Sequence, residues 1–275
     1  MSPLGLIAGG GDLPKAIAES AREAGRQVFV VALGAAESWV LGFAHDTASL
    51  GEVGKVVKLM KAACVTDLVL AGHLPRPKFS ELKLDWKGAM VAPGIIAAAR
   101  KGDDALLRAV VDVLEREGFR CLGAQDAAPG LLASEGPMGR LAPSAEDLED
   151  IAAAFKIVRC LGELDVGQAA VVCDGLPLAV EAAEGTDAMI SRVGTLPGHF
   201  RGTAEKRKGV LVKAPKPIQD RKTDLPVIGV QTVRNAAAVG LAGIALEAGG
   251  ALILGKKTVL EEADKLGLFV IGIKP

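Results

Sequence analysis

The strongest constraint on this chain is an alternation. Short runs of branched aliphatic residues give way to glycine and then to amphipathic segments, again and again through the first part. Leu4–Ala8, residues 27–33 and Asp67–Ala71 read as strands, with residues 13–24 and 51–64 as the helices between them. Gly9-Gly10-Gly11 turns the first strand into the first helix, and Pro14 sits in that helix's first turn, where its missing N–H costs nothing. A βαβαβ order predicts a parallel sheet with right-handed crossovers, because parallel neighbours need a connection long enough to hold a helix. Residues 72–94 look less regular. Residues 103–117 read as a helix with Asp103 at its N-cap, and residues 119–122 as a short strand.

Residues 127–143 are rich in Gly and Pro and divide the chain. The expected domains are 1–130 and 144–275, with 131–143 as a linker. The second part opens with Ser144, Glu146 and Asp147, a helix start with acid in its first turn, running to about residue 161. Asp174-Gly175 between two β-rich runs, Ala169–Cys173 and residues 176–181, predicts a hairpin. Thr186-Asp187 reads as a helix N-cap. Strands are expected at 209–213, 227–231, 251–254 and 268–273, and helices at 233–248 and 259–266. The expected fold is therefore α/β throughout: an N-terminal Rossmann-like parallel-sheet domain and a C-terminal mixed α/β domain. Half the residues are hydrophobic but only 3% are aromatic, with no Tyr, so the core must be built from Ala, Val, Leu and Ile.

Several function classes drop out. A net charge of −1 and few aromatics argue against nucleic acid as a partner. Cys64, Cys121, Cys160 and Cys173 are widely spaced, so reduced thiols are expected rather than a zinc site. No basic segment precedes a long apolar run at the start, so no secretory signal is expected. Residues 236–254 are nearly all apolar, but Glu247 interrupts them and Gly249-Gly250 breaks them. A buried helix and a core strand fit better than a membrane span.

Four stretches carry candidate chemistry. In the first, Gly9, Gly10, Gly11, Asp12 and Leu13 join a strand to a helix N-terminus, where backbone N–H groups and the helix dipole favour an anion. Pro14 stands where the Rossmann fingerprint expects its third Gly, and the Walker Lys-Ser/Thr pair is missing. A purely structural turn is the alternative. In the second, His73 and Arg76 follow a strand's carboxyl end, where α/β sheets bind ligands, and are placed to meet a phosphate or a uracil edge. The alternative is a proline-stiffened loop. In the third, Asp103 and Asp104 open a helix. Capping explains Asp103, and Asp104 is a candidate substrate contact that also pairs with Arg108 at i,i+4.

The fourth stretch is the richest. Glu181, Glu184, Thr186, Asp187 and Arg192 cluster in sequence, followed by Lys213, Lys216, Gln219, Asp220, Asp224 and Thr232. Residues 201–222 hold eight basic and two acidic residues, an excess that suggests an anionic ligand in a near-neutral chain. A pyrophosphate must be neutralised by Lys, Arg or Mg²⁺ before water can attack it. Mg²⁺ takes one or two protein carboxylates plus phosphate oxygens. Asp187, Asp220 and Asp224 are thus candidate metal ligands or water-positioning groups, and Lys213, Lys216 and Arg192 candidate phosphate clamps. A structured ion-pair loop is the alternative.

Residues 5–14, 72–77, 103–110, 180–192, 213–232 and 241–249 together resemble the LpxI-type UDP-2,3-diacylglucosamine pyrophosphatase family of lipid A biosynthesis. The most specific pieces are Val180-Glu181-Ala182-Ala183-Glu184-Gly185-Thr186-Asp187 and Lys216-Pro217-Ile218-Gln219-Asp220 with Asp224-Leu225-Pro226. The resemblance implies Mg²⁺-dependent hydrolysis to 2,3-diacylglucosamine 1-phosphate (lipid X) and UMP, with attack on the phosphorus nearer the sugar. It also implies two α/β domains, a homodimer, and a cytoplasmic location peripheral to the inner membrane. It gives Asp224 the first claim to catalysis, as metal ligand or base, followed by Asp187, Lys213, Lys216, Gln219 and Asp220. The substrate contacts it implies are the Gly9–Leu13 turn, His73, Arg76, Asp104, Glu184, Thr186, Arg192 and Thr232, with acyl chains near Leu241 and Ile244.

The calcineurin-like enzyme for the same step needs His-rich motifs that His45, His73 and His199 do not supply. Two other readings compete. A nicotinamide dehydrogenase needs an acid ending the second strand to hold a ribose, and no acid follows that strand before Glu37. A non-catalytic nucleotide-sugar binding module would keep the Gly turn without needing the carboxylates.

Overall fold

The structure, a computed structural model, describes residues 2–73, 82–217 and 225–274. The chain divides into two units, Met1–Gly130 and Leu131–Pro275.

The first unit runs β1 (Leu4–Ala8), α1 (Asp12–Glu23), β2 (Val28–Leu33), β3 (Ala44–Ala48), α2 (Val53–Ala62), β4 (Asp67–Ala71), α3 (Trp86–Ala99), α4 (Asp103–Arg116), β5 (Arg120–Cys121) and α5 (Ala124–Ala127). Its sheet is parallel in the order β3-β2-β1-β4-β5. All five residues of β1 are buried, as the central strand of a covered parallel sheet must be. Helix α1 buries Ile17, Ala18 and Ala21 against β1 and β2. Val56, Val57 and Met60 of α2 and Leu114 of α4 share a second core with Ile7, Val31 and Leu68.

Two elements depart from the sequence reading. Strand β3, Ala-His-Asp-Thr-Ala, is mostly exposed at the sheet edge, so pairing with β2 makes it a strand rather than any apolar pattern of its own. Helix α3 occupies part of the stretch read as irregular. Pro93 lies inside it, while the Asp85 side chain caps it by accepting from the Gly88 N–H at 2.7 Å. The cap of α4 is Gly102, not Asp103, which is the helix's first residue.

The second unit runs β6 (Gly136–Pro137), α6 (Ala145–Glu163), β7 (Ala169–Cys173), β8 (Leu176–Val180), α7 (Gly185–Gly194), β9 (Val210–Lys213), β10 (Val227–Ile228), α8 (Val230–Ala238), β11 (Gly243–Glu247), β12 (Leu252–Ile253), α9 (Lys256–Leu266) and β13 (Phe269–Ile273). The main sheet is mixed, in the order β6-β13-β11-β9-β7-β8, with β13, β11 and β9 mutually parallel. Alternate residues go to opposite faces. Ala170, Val172, Val210, Val212, Ala245, Phe269 and Ile271 meet Ile151, Ala154, Phe155 and Val158 of α6. Val171, Leu211, Ile244, Leu246 and Val270 meet Met189, Ile190 and Val193 of α7, Val233 of α8, and Val259 of α9.

The hairpin forms as read: Asp174 and Gly175 take φ of 52° and 75°, the positive pair that a type I′ turn demands. Ser144 and Asp147 form the capping box of α6.

Corrections fall elsewhere. Residues 233–248 are not one helix: α8 stops at Ala238, Gly240 takes φ of 83°, and β11 follows. An all-apolar run hides its period, and only the positive φ marks the break. Leu241 and Ile244 are fully buried in the core, so no acyl groove lies there. Residues 131–143 are tied into the second unit, since β6 pairs with β13 and Ala133 N–H bonds to Ala251 O at 2.9 Å. Thr186 and Asp187 sit inside α7, whose N-cap is Glu184, and α8 already begins at Val230, within the expected strand 227–231. Among the described residues no helix is long and apolar enough to cross a membrane.

Candidate functional site

In the first unit the chain order reverses between β1 and β4, the place where open α/β sheets bind ligands at their carboxyl ends. Backbone hydrogen bonds fasten the two ends together there. Gly9 N–H donates to Ala71 O at 2.8 Å, Gly10 N–H to His73 O at 2.9 Å, and His73 N–H to Gly10 O at 2.8 Å. Only glycine allows this approach. A Cβ on Gly9 would lie 2.7 Å from His73 O, and one on Gly72, at φ +97°, would lie 2.8 Å from Gly10 O.

Beside this seam is a cavity of about 370 Å³, lined by Gly9, Gly10, Gly11, Glu37, Trp39 and His73 among others. Gly11, at φ +93°, leads straight into α1, so Asp12 and Leu13 lie in that helix's first turn, Asp12 exposed and Leu13 half-buried.

Glu37 is the residue the sequence reading passed over. Its Oε1 accepts from Gly11 N–H at 3.4 Å and its Oε2 accepts from Trp39 Nε1 at 3.2 Å. This acid, four residues beyond the end of the second strand, is folded back onto the glycine turn. The signal available in sequence was an acid a few residues beyond a strand end, without the distance that decides its relevance. The start of α1 thus already faces a carboxylate of the chain itself, and a phosphate placed there would meet like charge.

In the second unit, Lys213 lies buried at the carboxyl end of β9, and its Nζ donates to Val227 O at 2.9 Å. Glu247, also buried, ends the adjacent parallel strand β11, one residue past Leu246, which pairs with Lys213. Read from sequence as a charge interrupting an apolar run, Glu247 stands at the carboxyl end of the parallel strands, where α/β sheets bind ligands. Lys216 Nζ bonds to Asp165 Oδ1 at 2.6 Å.

The three carboxylates clustered in sequence each have a different hydrogen-bond partner. Glu181 is buried and accepts from Thr186 Oγ1 at 2.6 Å and from Gln168 N–H at 3.2 Å. Glu184 pairs with Arg192 at 3.1 Å, and Arg192 also donates to Val180 O at 2.9 Å. Asp187 Oδ1 accepts from Asn235 Nδ2 at 2.9 Å. Thr232, buried in the first turn of α8, accepts from Gly229 N–H at 3.5 Å. Glu181 lies between β8 and α7, Glu184 is the N-cap of α7 and Asp187 stands in its first turn. Among the described residues no three His, Cys, Asp or Glu side chains gather to hold a metal.

Asp187 still suits a hard cation: it is exposed, and a neutral amide fixes its orientation as an outer-sphere partner does. Arg76, Gln219, Asp220 and Asp224 lie outside the described residues, and so does the side chain of Asp104 in the first turn of α4.

Comparison with known proteins bears on both units. Residues 3–131 match the LpxI N-terminal domain, and residues 134–271 match the LpxI C-terminal domain. UDP-2,3-diacylglucosamine pyrophosphatase LpxI of Caulobacter vibrioides is 48% identical over 276 aligned residues, covering 100% of this chain and 99% of that protein. Matched in both halves and along its full length, this chain belongs to the LpxI family.

Proposed function

We propose that this chain hydrolyses the pyrophosphate bond of UDP-2,3-diacylglucosamine in a Mg²⁺-dependent reaction of lipid A biosynthesis, releasing UMP and 2,3-diacylglucosamine 1-phosphate. The observation that carries this reading is 48% identity, over the whole chain, to a protein named for that pyrophosphatase activity.

The residues have a consistent division of labour. The glycine turn, Glu37 and His73 surround a cavity suited to the uridine end. Asp187, Asp220 and Asp224 would hold the Mg²⁺, which when bound supplies the charge that neutralises the diphosphate. Lys213 and Lys216 add ammonium charge on the chain leading into residues 218–224, with Gln219 as a polar contact in that segment. Arg192 is held beside Glu184 and adds a cation on α7. Asp224 orients a water and accepts its proton as the water oxygen bonds to the phosphorus nearer the sugar, and UMP departs. Peripheral contact with the inner membrane, as a homodimer, completes the reading. Trp86 and Met90, one turn apart on α3, are 82% and 66% exposed and give an apolar face for it.

The test is release of UMP from UDP-2,3-diacylglucosamine by the purified chain with Mg²⁺, and again with EDTA. Release that EDTA abolishes is expected, and nucleotide binding without release would leave only a binding module. Asp224→Ala should lower turnover by roughly 100-fold or more while the protein stays folded and still binds substrate. A near-normal rate would remove Asp224 from the mechanism.

A further inference from the structure

The acid beside the glycine turn has a more specific use than lining a cavity. Glu37 lies 26 residues from Gly11 in sequence, yet its two oxygens are fixed by the Gly11 N–H at 3.4 Å and the Trp39 indole N–H at 3.2 Å. Each oxygen accepts one bond and keeps a lone pair for a ligand. Both donors come from the cavity wall, and the exposed carboxylate is part of that wall. The cavity sits over the carboxyl ends of β1 and β2, reaching Ala8, Ala32 and Leu33. A carboxylate oriented by two N–H donors, with spare lone pairs, matches a vicinal diol, which offers two O–H donors. It does not match a phosphate, whose charge it repels.

We infer that Glu37 reads the ribose diol of the nucleotide, so that this cavity takes the nucleoside end of the substrate and requires its 2′-hydroxyl. The α1 N-terminus serves to hold Glu37 in place rather than to bind phosphate. The inference rests on the proposed nucleotide-sugar substrate, and it adds the group recognised and the residue that recognises it.

A bland role for Glu37, as a side-chain cap for α1, makes a different prediction. A cap stabilises the protein without distinguishing ribose from deoxyribose. The experiment is calorimetric titration of the full chain with UMP and with 2′-deoxy-UMP, repeated on Glu37→Ala and Glu37→Gln.

The wild type should bind UMP roughly ten- to hundredfold more tightly than 2′-deoxy-UMP, the range for a hydrogen bond to a charged group. In Glu37→Ala that preference should vanish, with 2′-deoxy-UMP affinity little changed. In Glu37→Gln, which keeps a neutral acceptor, the preference should shrink to a few-fold. An undiminished preference in either variant overturns the assignment, as does a wild type that fails to distinguish the two nucleotides or binds neither. Failures are separable. Turnover of UDP-2,3-diacylglucosamine without Glu37-dependent discrimination defeats this inference alone. Discrimination without turnover defeats the proposed hydrolysis and leaves the ribose pocket standing.

Discussion

Replacing Gly9 with Ala places a methyl where the seam between β1 and β4 leaves no room. The new Cβ would lie 2.7 Å from His73 O, 3.1 Å from Gly72 C and 3.2 Å from His73 C. All three are backbone atoms, so no side chain can rotate aside and the two chain segments must separate. Separation breaks the reciprocal pair between Gly10 and His73, bonds of 2.9 and 2.8 Å. At about 0.5–1.5 kcal/mol each, that is about 1–3 kcal/mol. Strain in whatever contact survives adds about 1 kcal/mol or more. The expected loss is therefore about 2–4 kcal/mol.

Gly10 is the internal control. A Cβ there meets nothing nearer than His73 O at 3.6 Å, and its backbone φ is not positive. Gly10→Ala should leave stability unchanged or raise it by about 0.4–1 kcal/mol through the unfolded chain. Its methyl would nonetheless stand 3.8 Å from Glu37 Oε1, inside the cavity, and should weaken UMP binding. The assay is urea unfolding followed by tryptophan fluorescence. Both tryptophans, Trp39 and Trp86, belong to the first unit, so the signal reports that unit alone. Equal midpoints for the two variants, at unchanged slope, would refute the claim that close backbone approach dictates glycine at position 9.

Two further outcomes follow from the side chains. Asp67, buried at the amino end of β4, is held below the usual carboxylate range by hydrogen bonds from Arg120 and Arg26. A depressed folded-state pKa contributes stability that is complete above the unfolded value of about 3.9 and is lost as pH falls through the folded one. The wild-type urea midpoint should thus drop on acidification below about pH 4, and Asp67→Asn should flatten that part of the profile; parallel profiles would contradict it. Burial pushes the Cys173 thiol up to about 11, and Cys121 is also buried, whereas Cys64 and Cys160 are exposed. A disulfide reagent at neutral pH should therefore react quickly with two thiols in the native protein and with the other two only after unfolding. Rapid native labelling of Cys173 would show that its strand opens.

The sequence alone determined what depends on neighbours along the chain. Strand-turn-helix alternation sets β1, α1, β2 and β4, because buried parallel strands read as near-continuous apolar runs and each of these strands is followed by a glycine, Gly9, Gly34 or Gly72. The Asp174-Gly175 turn and the Ser144 cap are likewise local, decided by φ and by one side chain reaching three residues ahead. Family membership was also legible, since it resides in short motifs read in order.

Tertiary structure decided the rest, where a residue's state is set by a partner distant in sequence. Strand β3 exists because β2 pairs with it, and β11 escaped notice because an all-apolar run carries no period. Glu181, Glu184 and Asp187 read in sequence as one acidic cluster, but the fold gives each its own partner: Thr186 for Glu181, Arg192 for Glu184 and Asn235, 48 residues away, for Asp187. Glu37 shows the converse. Sequence distance set it aside, and the return of the chain after β2 laid its carboxylate against Gly11. A sequence ranks residues by spacing along the backbone, while a binding site collects them by proximity through space, and only the fold converts one into the other.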